Sequence, residues 1–306
     1  MVEPVDLRRL QVLRLVHERG TVTSAAELLH LTPSAVSHQI RQLSRELGVP
    51  LLERTGRRVR LTPAAQRLIG HADALHARWE QAHAELADPL DARGGLLRMC
   101  GFPTAVAGLL APAADYLRTE CPRLSVHVSE AETEQGFGLL LAGDVDIAVV
   151  LPTMAAPPLT NTKFSQQPLM EEPLDLLVPE DHPLATRAEV QLIDVARDPW
   201  VLAAAGSCDF YELVQAACAT AGFTPEVAHH AKDAVAVSAL VASGLGVALA
   251  PRLAAVHLQK GAVRIPLRGH PRPTRRLLAC VRPGSEDHPS IERGLDALRT
   301  VATTAV

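Results

Sequence analysis

Apolar residues return at helical spacing from the start of the chain. Leu10, Leu13 and Val16, with Val12 a residue early, mark one face of a helix that begins near Leu7 and stops at Gly20. Thr23 or Ser24 is placed to cap a second, short helix holding Ala25, Ala26, Leu28 and Leu29, whose alanines let another helix cross closely. After a turn at His30 and Leu31, Thr32 supplies an N-cap oxygen and Pro33 takes the first helical position, where a missing amide hydrogen costs nothing. This third helix runs to Leu47 and ends at Gly48. Its buried stripe is Val36, Ile40, Leu43 and Leu47, and at 100° per residue Ser34, Ser37, His38, Arg41 and Arg45 gather on the reverse face. Residues 49–62 then read as two short strands around a Gly-centred turn carrying Arg54, Arg57, Arg58 and Arg60.

Thr62 and Pro63 open a long helix in which Leu68, Ala72, Leu75, Trp79, Ala82 and Leu86 continue a spacing of alternating threes and fours begun at Ala65. That narrow stripe predicts a seam between two chains, with His71 and His76 on separate faces as solvated polar residues. The run from Asp88 to Gly95 breaks the helix and predicts a hinge. Beyond it the period changes. Strands are expected at 96–101, 125–129 and 146–150 with helices at 103–118 and 134–142. Further strands follow at 173–178, 200–202 and 247–250, with helices at 211–221 and 234–244. Such alternation predicts two α/β lobes, with ligands at the carboxyl ends of the strands.

Charge divides the chain in the same place. Residues 1–67 hold 11 Arg, no Lys and 6 acidic residues, a net +5, whereas the remainder carries 19 basic and 28 acidic residues, a net −9. A basic head on an acidic body meets a polyanion through the head alone. The reverse face of the third helix then has two readings, a solvated surface or a face that reads a DNA groove. The order of short helix, tight turn and polar-faced helix favours the second. Arginines crowded on one hairpin repel one another unless a phosphate backbone lies opposite, so Arg54, Arg57 and Arg58 are candidate phosphate or minor-groove contacts. At 3% aromatic content the chain has no stacking platform for single strands. Its start lacks the apolar run of a signal peptide, and the stretch 234–251 is interrupted by Ser and Gly, so a cytoplasmic protein that spans no membrane is expected. Five cysteines at irregular spacing form no metal motif, and no cofactor or metal site is expected.

The run from Ala25 to Leu43, AAELLHLTPSAVSHQIRQL, followed by Glu46 to Arg54, resembles the signature of the LysR-type transcriptional regulators nearly position for position. It departs at Leu52, commonly Phe, and at Ala65-Gln66, commonly Ala-Gly. The body resembles the effector domain of the same family through Leu141 to Ala148, Glu172-Pro173-Leu174, His182-Pro183-Leu184 and Ala242 to Val247. The resemblance implies an α+β multidomain architecture: a winged helix-turn-helix at 1–62, a linker helix at 63–88, a hinge at 89–95 and a two-lobed, periplasmic-binding-protein-like domain at 96–306. Lobe I is expected at about 96–161 and 267–306 and lobe II at about 162–266, with crossings near Thr160 to Ser165 and Val263 to Leu267. It implies a homodimer or homotetramer on double-stranded DNA with dyad-related half-sites, a small-molecule effector, and contact with RNA polymerase.

Thr32, Pro33, Ser34, Ser37, His38 and Arg41 are the expected groove residues. The strand-end rule puts Pro103, Thr104, Glu132, Thr133, Ser207, Cys208 and Asp233 at the effector cleft, with plain helix capping the competing role for Thr104, Ser207 and Asp233. Free amides at helix starts favour an anion there, while Glu132 and Asp233 oppose one, leaving a simple acid, a zwitterion and a polar neutral molecule all open. Two other functions compete. Cys208 and Cys218 resemble the pair of peroxide-sensing LysR-type proteins, although the spacing is one residue longer and no Arg follows Cys208. An enzyme would need a site unmarked by any nucleophile elbow, metalloprotease motif, P-loop or complete dinucleotide fingerprint.

Overall fold

The computed structural model describes residues 5–55, 58–87, 95–154, 156–254, 258–269 and 272–305. Three helices, α1 (Leu7–Arg19), α2 (Val22–Leu28) and α3 (Pro33–Leu47), are followed by the hairpin β1 (Leu52–Thr55) and β2 (Arg58–Leu61) and the long helix α4 (Pro63–Leu86). Thr32 accepts from the Ala35 amide and Thr62 from the Ala65 amide, each with Pro in the first turn, and Gly48 closes α3 in the left-handed conformation, as these residues predict. The cap of α2 differs. Thr21, not Thr23 or Ser24, takes the N-cap and accepts from the Ser24 amide. Leu10, Leu13, Val16, Ala25, Ala26, Val36, Ile40 and Leu43 form the buried centre of this head, joined by Ala65, Ile69 and Ala72 from α4.

In the body, β3 (Gly95–Gly101), β4 (Leu124–Glu130) and β5 (Ile147–Val150) pair in parallel. Helices α5 (Pro103–Ala105) and α6 (Ala111–Glu120), joined by a π-helical turn at Val106–Leu110, and α7 (Thr133–Ala142) connect them. The chain then enters β6 (Ser165–Pro179), which belongs to both lobes. Its first part pairs with β12 (Thr274–Val281), and from Leu174 onward it pairs with β10 (Ala248–Pro251) and β11 (Ala262–Arg268). The crossings therefore lie at Pro173 and just before Thr274, later on both passes than the expected 160–165 and 263–267. Continuous ladder pairing carries β6 from one lobe into the other. Lobe II is completed by β7 (Val190–Gln191), β8 (Pro199–Leu202), α8 (Phe210–Thr220), β9 (Glu226–His230) and α9 (Ala234–Ala242), and α10 (Pro289–Thr304) returns to lobe I.

Each lobe has its own apolar centre, around Leu97, Met99, Ile147 and Leu298 in lobe I and around Trp200, Leu174, Val214 and Leu249 in lobe II. Head and linker both rest on lobe I. Buried Arg282 donates to Glu80 of α4 (2.8 Å), to the Val145 carbonyl (2.6 Å) and to Asp146 (3.2 Å). Gly284, at φ +85, admits the α4 backbone at Ala77 where a Cβ would collide with it. His76, expected in solvent, is instead largely buried near Arg14, Asp73, Glu80 and Arg282. Burial and the two arginines, outweighing the carboxylates, push its pKa down to about 4.

Candidate functional site

The apolar stripe of α3 is spent on the head's core, with Val36, Ile40 and Leu43 fully buried. The opposite face is left to solvent. Thr32, Pro33, Ser34, His38, Arg41 and Arg45 are exposed and Ser37 half-exposed, while Arg41 Nε leans back to the Ser37 carbonyl (3.1 Å). His38, Arg41 and Arg45 share a shallow depression with Ser44, Pro50 and Leu52 at the start of the hairpin. A row of short hydroxyls, an imidazole and guanidinium groups on one rigid helix can donate to base edges and phosphates together. Arg57 lies outside the described residues, and for Arg54 and Arg58 only their places in the β1–β2 ladder are described.

Of the expected seam residues on α4, Leu75, Trp79 and Leu86 are exposed (52%, 54% and 80%) and form a bare apolar edge. Leu68 and Ala82 are half-buried. Ala72 belongs to the inner face of α4 and is packed into the head.

Between the lobes lies a cleft of about 310 Å³. Pro103, Thr104, Glu132, Cys208 and Asp233 line it as expected; Thr133 and Ser207 do not. Thr133 is fully buried and its hydroxyl accepts from the Leu151 amide (3.0 Å), while the Ser207 hydroxyl is spent on the Ala204 carbonyl (2.7 Å). Asp233 caps α9, accepting from the Val235 and Ala236 amides, so the capping role holds alongside its place on the wall.

The residues that dominate the cleft chemically are ones the strand-end rule misses. Arg275 on β12 is 3% exposed, pairs through Nε with Glu172, and donates from Nη2 to Thr104 Oγ1 (2.8 Å). Its guanidinium carbon lies 5.0 Å from the Phe102 ring centroid and 5.9 Å from the Phe210 ring centroid, within cation–π reach of both. Burial lowers its pKa and Glu172 opposes that shift. Fully buried Glu172 also accepts from the Leu253 amide (2.8 Å), so one carboxylate ties both strands at the lobe crossing to the short helical turn beside the cleft. Arg264 also lines the cleft and shares Asp175 with Arg252 and Arg272. Across from these, Asp209 at the start of α8 accepts from the Thr133 amide (2.8 Å), and its own amide donates to Glu132 (3.4 Å), stitching lobe II to the N-terminus of α7. Burial raises the Glu132 carboxyl above the usual carboxylate range; the Asp209 amide pulls it down and the Asp209 carboxylate pushes it up again. A signal for Arg275 was available: Arg275, Leu277, Ala279 and Val281 alternate along one strand face, which places a cation on the inward side.

Comparison with known proteins bears on both halves. Residues 7–66 match the bacterial regulatory helix-turn-helix protein, lysR family, and residues 91–303 match the LysR substrate binding domain. The chain belongs to the LysR family of transcriptional regulators. As in that family, a DNA-binding helix-turn-helix head is joined to a domain for a small-molecule effector. This LysR-type chain is 31% identical over 248 residues to the transcriptional dual regulator GltC of Bacillus subtilis, covering 81% of each. It is 30% identical over 297 residues to the dual regulator OxyR of Escherichia coli, covering 96% of this chain and 95% of that one. Among solved structures, a full-length OxyR variant from Pseudomonas aeruginosa shares the fold at a TM-score of 0.69 and 22% identity, over 99% of this chain and 98% of that one. Full-length CbnR in complex with its target DNA does so at 0.59 and 22% identity, over 97% of this chain and all of the other. Among the described residues no helix is long and apolar enough to cross a membrane, and no cluster of metal-binding side chains is present.

Proposed function

We propose that this cytoplasmic regulator reads paired half-sites through Ser34, Ser37, His38 and Arg41 of α3, with Thr32 and Pro33 setting the helix start and the arginine hairpin gripping phosphates. It dimerises along the outer edge of α4, and is switched by a small molecule in the cleft lined by Thr104, Glu132 and Arg275. The observation that carries the reading is the division of α3 into a fully buried apolar stripe and a bare face of hydrogen-bonding groups. Selection of duplexes from a random pool tests it. The wild type should enrich a dyad-symmetric site. His38→Ala and Ser34→Ala should relax base preference within each half-site, each lost base contact being worth about 1–3 kcal/mol of discrimination. Arg57→Ala with Arg58→Ala should weaken all duplexes alike and flatten the salt dependence. An unchanged consensus in the α3 variants would overturn the groove assignment.

A redox reading is favoured by one observation: Cys208 is half-exposed on the cleft wall. Against it, Cys218 is fully buried in α8 and burial pushes its thiol up to about 12, so bridging the two requires α8 to unwind. Mass spectrometry after peroxide treatment decides: a Cys208–Cys218 bridge with altered DNA binding establishes the redox switch, and unmodified thiols dismiss it.

A further inference from the structure

The charges on the cleft wall are sorted by position, and this selects a ligand class. The inference rests on the cleft reading above. Glu132 from lobe I and Asp209 from lobe II meet across the cleft, and Glu130 of lobe I and Asp233 of lobe II also line it. Among the described residues none of these four carboxylates has a cation within ion-pair distance; Lys232 is nearby but makes no such pair. Two half-buried carboxylates facing one another without a counter-charge repel, and a cation placed between them removes that repulsion.

Deeper in the cleft the sign reverses. Arg275 is almost wholly buried, and its Nε and Nη2 are committed to Glu172 and Thr104. Its Nη1 has no hydrogen-bond partner among the described residues. Because Thr104 Oγ1 accepts from Arg275, its own O–H remains available to donate. Nη1 and that hydroxyl offer two donors to one acceptor group, and Phe102 and Phe210 give it apolar flanks. A simple acid satisfies these donors but adds a negative charge facing four carboxylates. A simple amine relieves the carboxylates and leaves Arg275 Nη1 and the Thr104 hydroxyl without an acceptor from the ligand.

We propose that the cleft takes a small amphoteric molecule, whose cationic nitrogen bridges Glu132 and Asp209 and whose anionic group meets Arg275 Nη1 and the Thr104 hydroxyl. The volume, about 310 Å³, suits a metabolite of amino-acid size at the lower end of ligand pockets. Because Glu132 and Asp209 belong to different lobes, the same nitrogen ties the lobes together, so the ligand favours closure through the group that identifies it.

The test uses the full chain and thermal stability against matched probes, since a ligand of the native state raises the melting temperature by mass action. The amphoteric probes are the protein amino acids and 4-(aminomethyl)benzoate. The controls are their deaminated and decarboxylated counterparts, such as 3-phenylpropanoate and 2-phenylethylamine. At least one amphoteric probe should stabilise the protein in a saturable way, with both of its single-charge counterparts weaker by about tenfold or more. Glu132→Gln and Asp209→Asn, which keep shape and remove charge, should each weaken that probe by about tenfold, while leaving the ligand-free melting temperature unchanged or higher. A simple acid that stabilises as well as its amphoteric parent, or the absence of any amphoteric hit, overturns the proposal. A hit that Thr104→Ala abolishes and Glu132→Gln does not touch leaves the cleft as the effector site and removes the amphoteric class. A hit indifferent to all three substitutions lies outside the cleft and removes both.

Discussion

Glu172 has no solvent exposure and satisfies two groups at once, the Arg275 guanidinium and the Leu253 amide. Removing one partner of a buried pair leaves an uncompensated charge, and the usual cost is about 3–5 kcal/mol. Glu172→Ala should therefore lower the unfolding free energy of the full chain, measured by urea denaturation, by that amount. Glu172→Gln, which keeps an acceptor for Leu253, should cost less. A loss below about 1 kcal/mol for the alanine variant would mean that Arg275 finds solvent, against its burial here. This pair also shows why the cleft was only partly legible. Pro103, Thr104, Cys208 and Asp233 sit where a strand or loop meets a helix, so local pattern alone brings them to the wall. Arg275 and Glu172 come from separate strands and are brought together by sheet register, Arg275 pairing opposite Glu172 in the β6–β12 ladder, which no local window contains. Thr133 and Ser207 failed for the complementary reason: the rule finds the right loop but not whether a hydroxyl turns to the ligand or to its own backbone.

Helices α3 and α4 were legible nearly to the residue because their ends are chemical, with a threonine cap, a proline in the first turn and, for α3, a closing glycine. The cap of α2 was misplaced because Thr21, Thr23 and Ser24 are all competent and only the fold chooses among them. Strand β6 was read only from Pro173 onward, because Pro168 and Pro173 punctuate a run that the flanking strands nonetheless keep extended. On α4 the stripe divides into two uses. Ala65, Ile69 and Ala72 pack on the head, while Leu75, Trp79 and Leu86 stay bare. An exposed apolar edge on a long helix is stabilised by a second copy, where a and d residues interlock. The protein should sediment as a dimer at micromolar concentration. Leu75→Glu, a charge in the seam, should shift it to monomer and weaken DNA binding with it. Trp79, exposed here, should lose its solvent-exposed fluorescence in the dimer and recover it on dilution or in the variant. A wild type that stays monomeric would remove the seam.

The three parts of the molecule meet on α7. At its N-terminus the Thr133 amide donates to Asp209 of lobe II, so opening or closing of the cleft acts directly on that end. At its C-terminus Gln11 of α1 donates to the Leu141 and Ala142 carbonyls (2.9 and 2.8 Å), satisfying backbone groups that a helix end leaves free. Along its flank Arg19 reaches Glu134 (3.2 Å) and lies directly over Gly138, where any Cβ would displace it, and beside it Lys163 pairs with Glu18 (2.7 Å). One helix thus touches the cleft at one end and the DNA-binding head at the other, and the head's α3 face is on neither contact. Coupling between binding sites is reciprocal, so if the cleft influences DNA binding through α7, DNA on the head must influence the cleft end of α7. Amide exchange on the full chain measures this without an effector. Adding a duplex enriched from the random pool should alter protection along α7 and at the Thr133 and Asp209 amides in the wild type. In a Gln11→Ala, Glu18→Ala variant that change should vanish, while affinity for the duplex stays within a few-fold because neither residue lies on the α3 reading face. If the variant transmits as well as the wild type, the signal travels instead through α4, where Arg282 holds Glu80, and Glu80→Gln becomes the substitution that silences it. If DNA leaves α7 unchanged in the wild type, the contact between α1 and α7 is a resting place for the head and carries no signal.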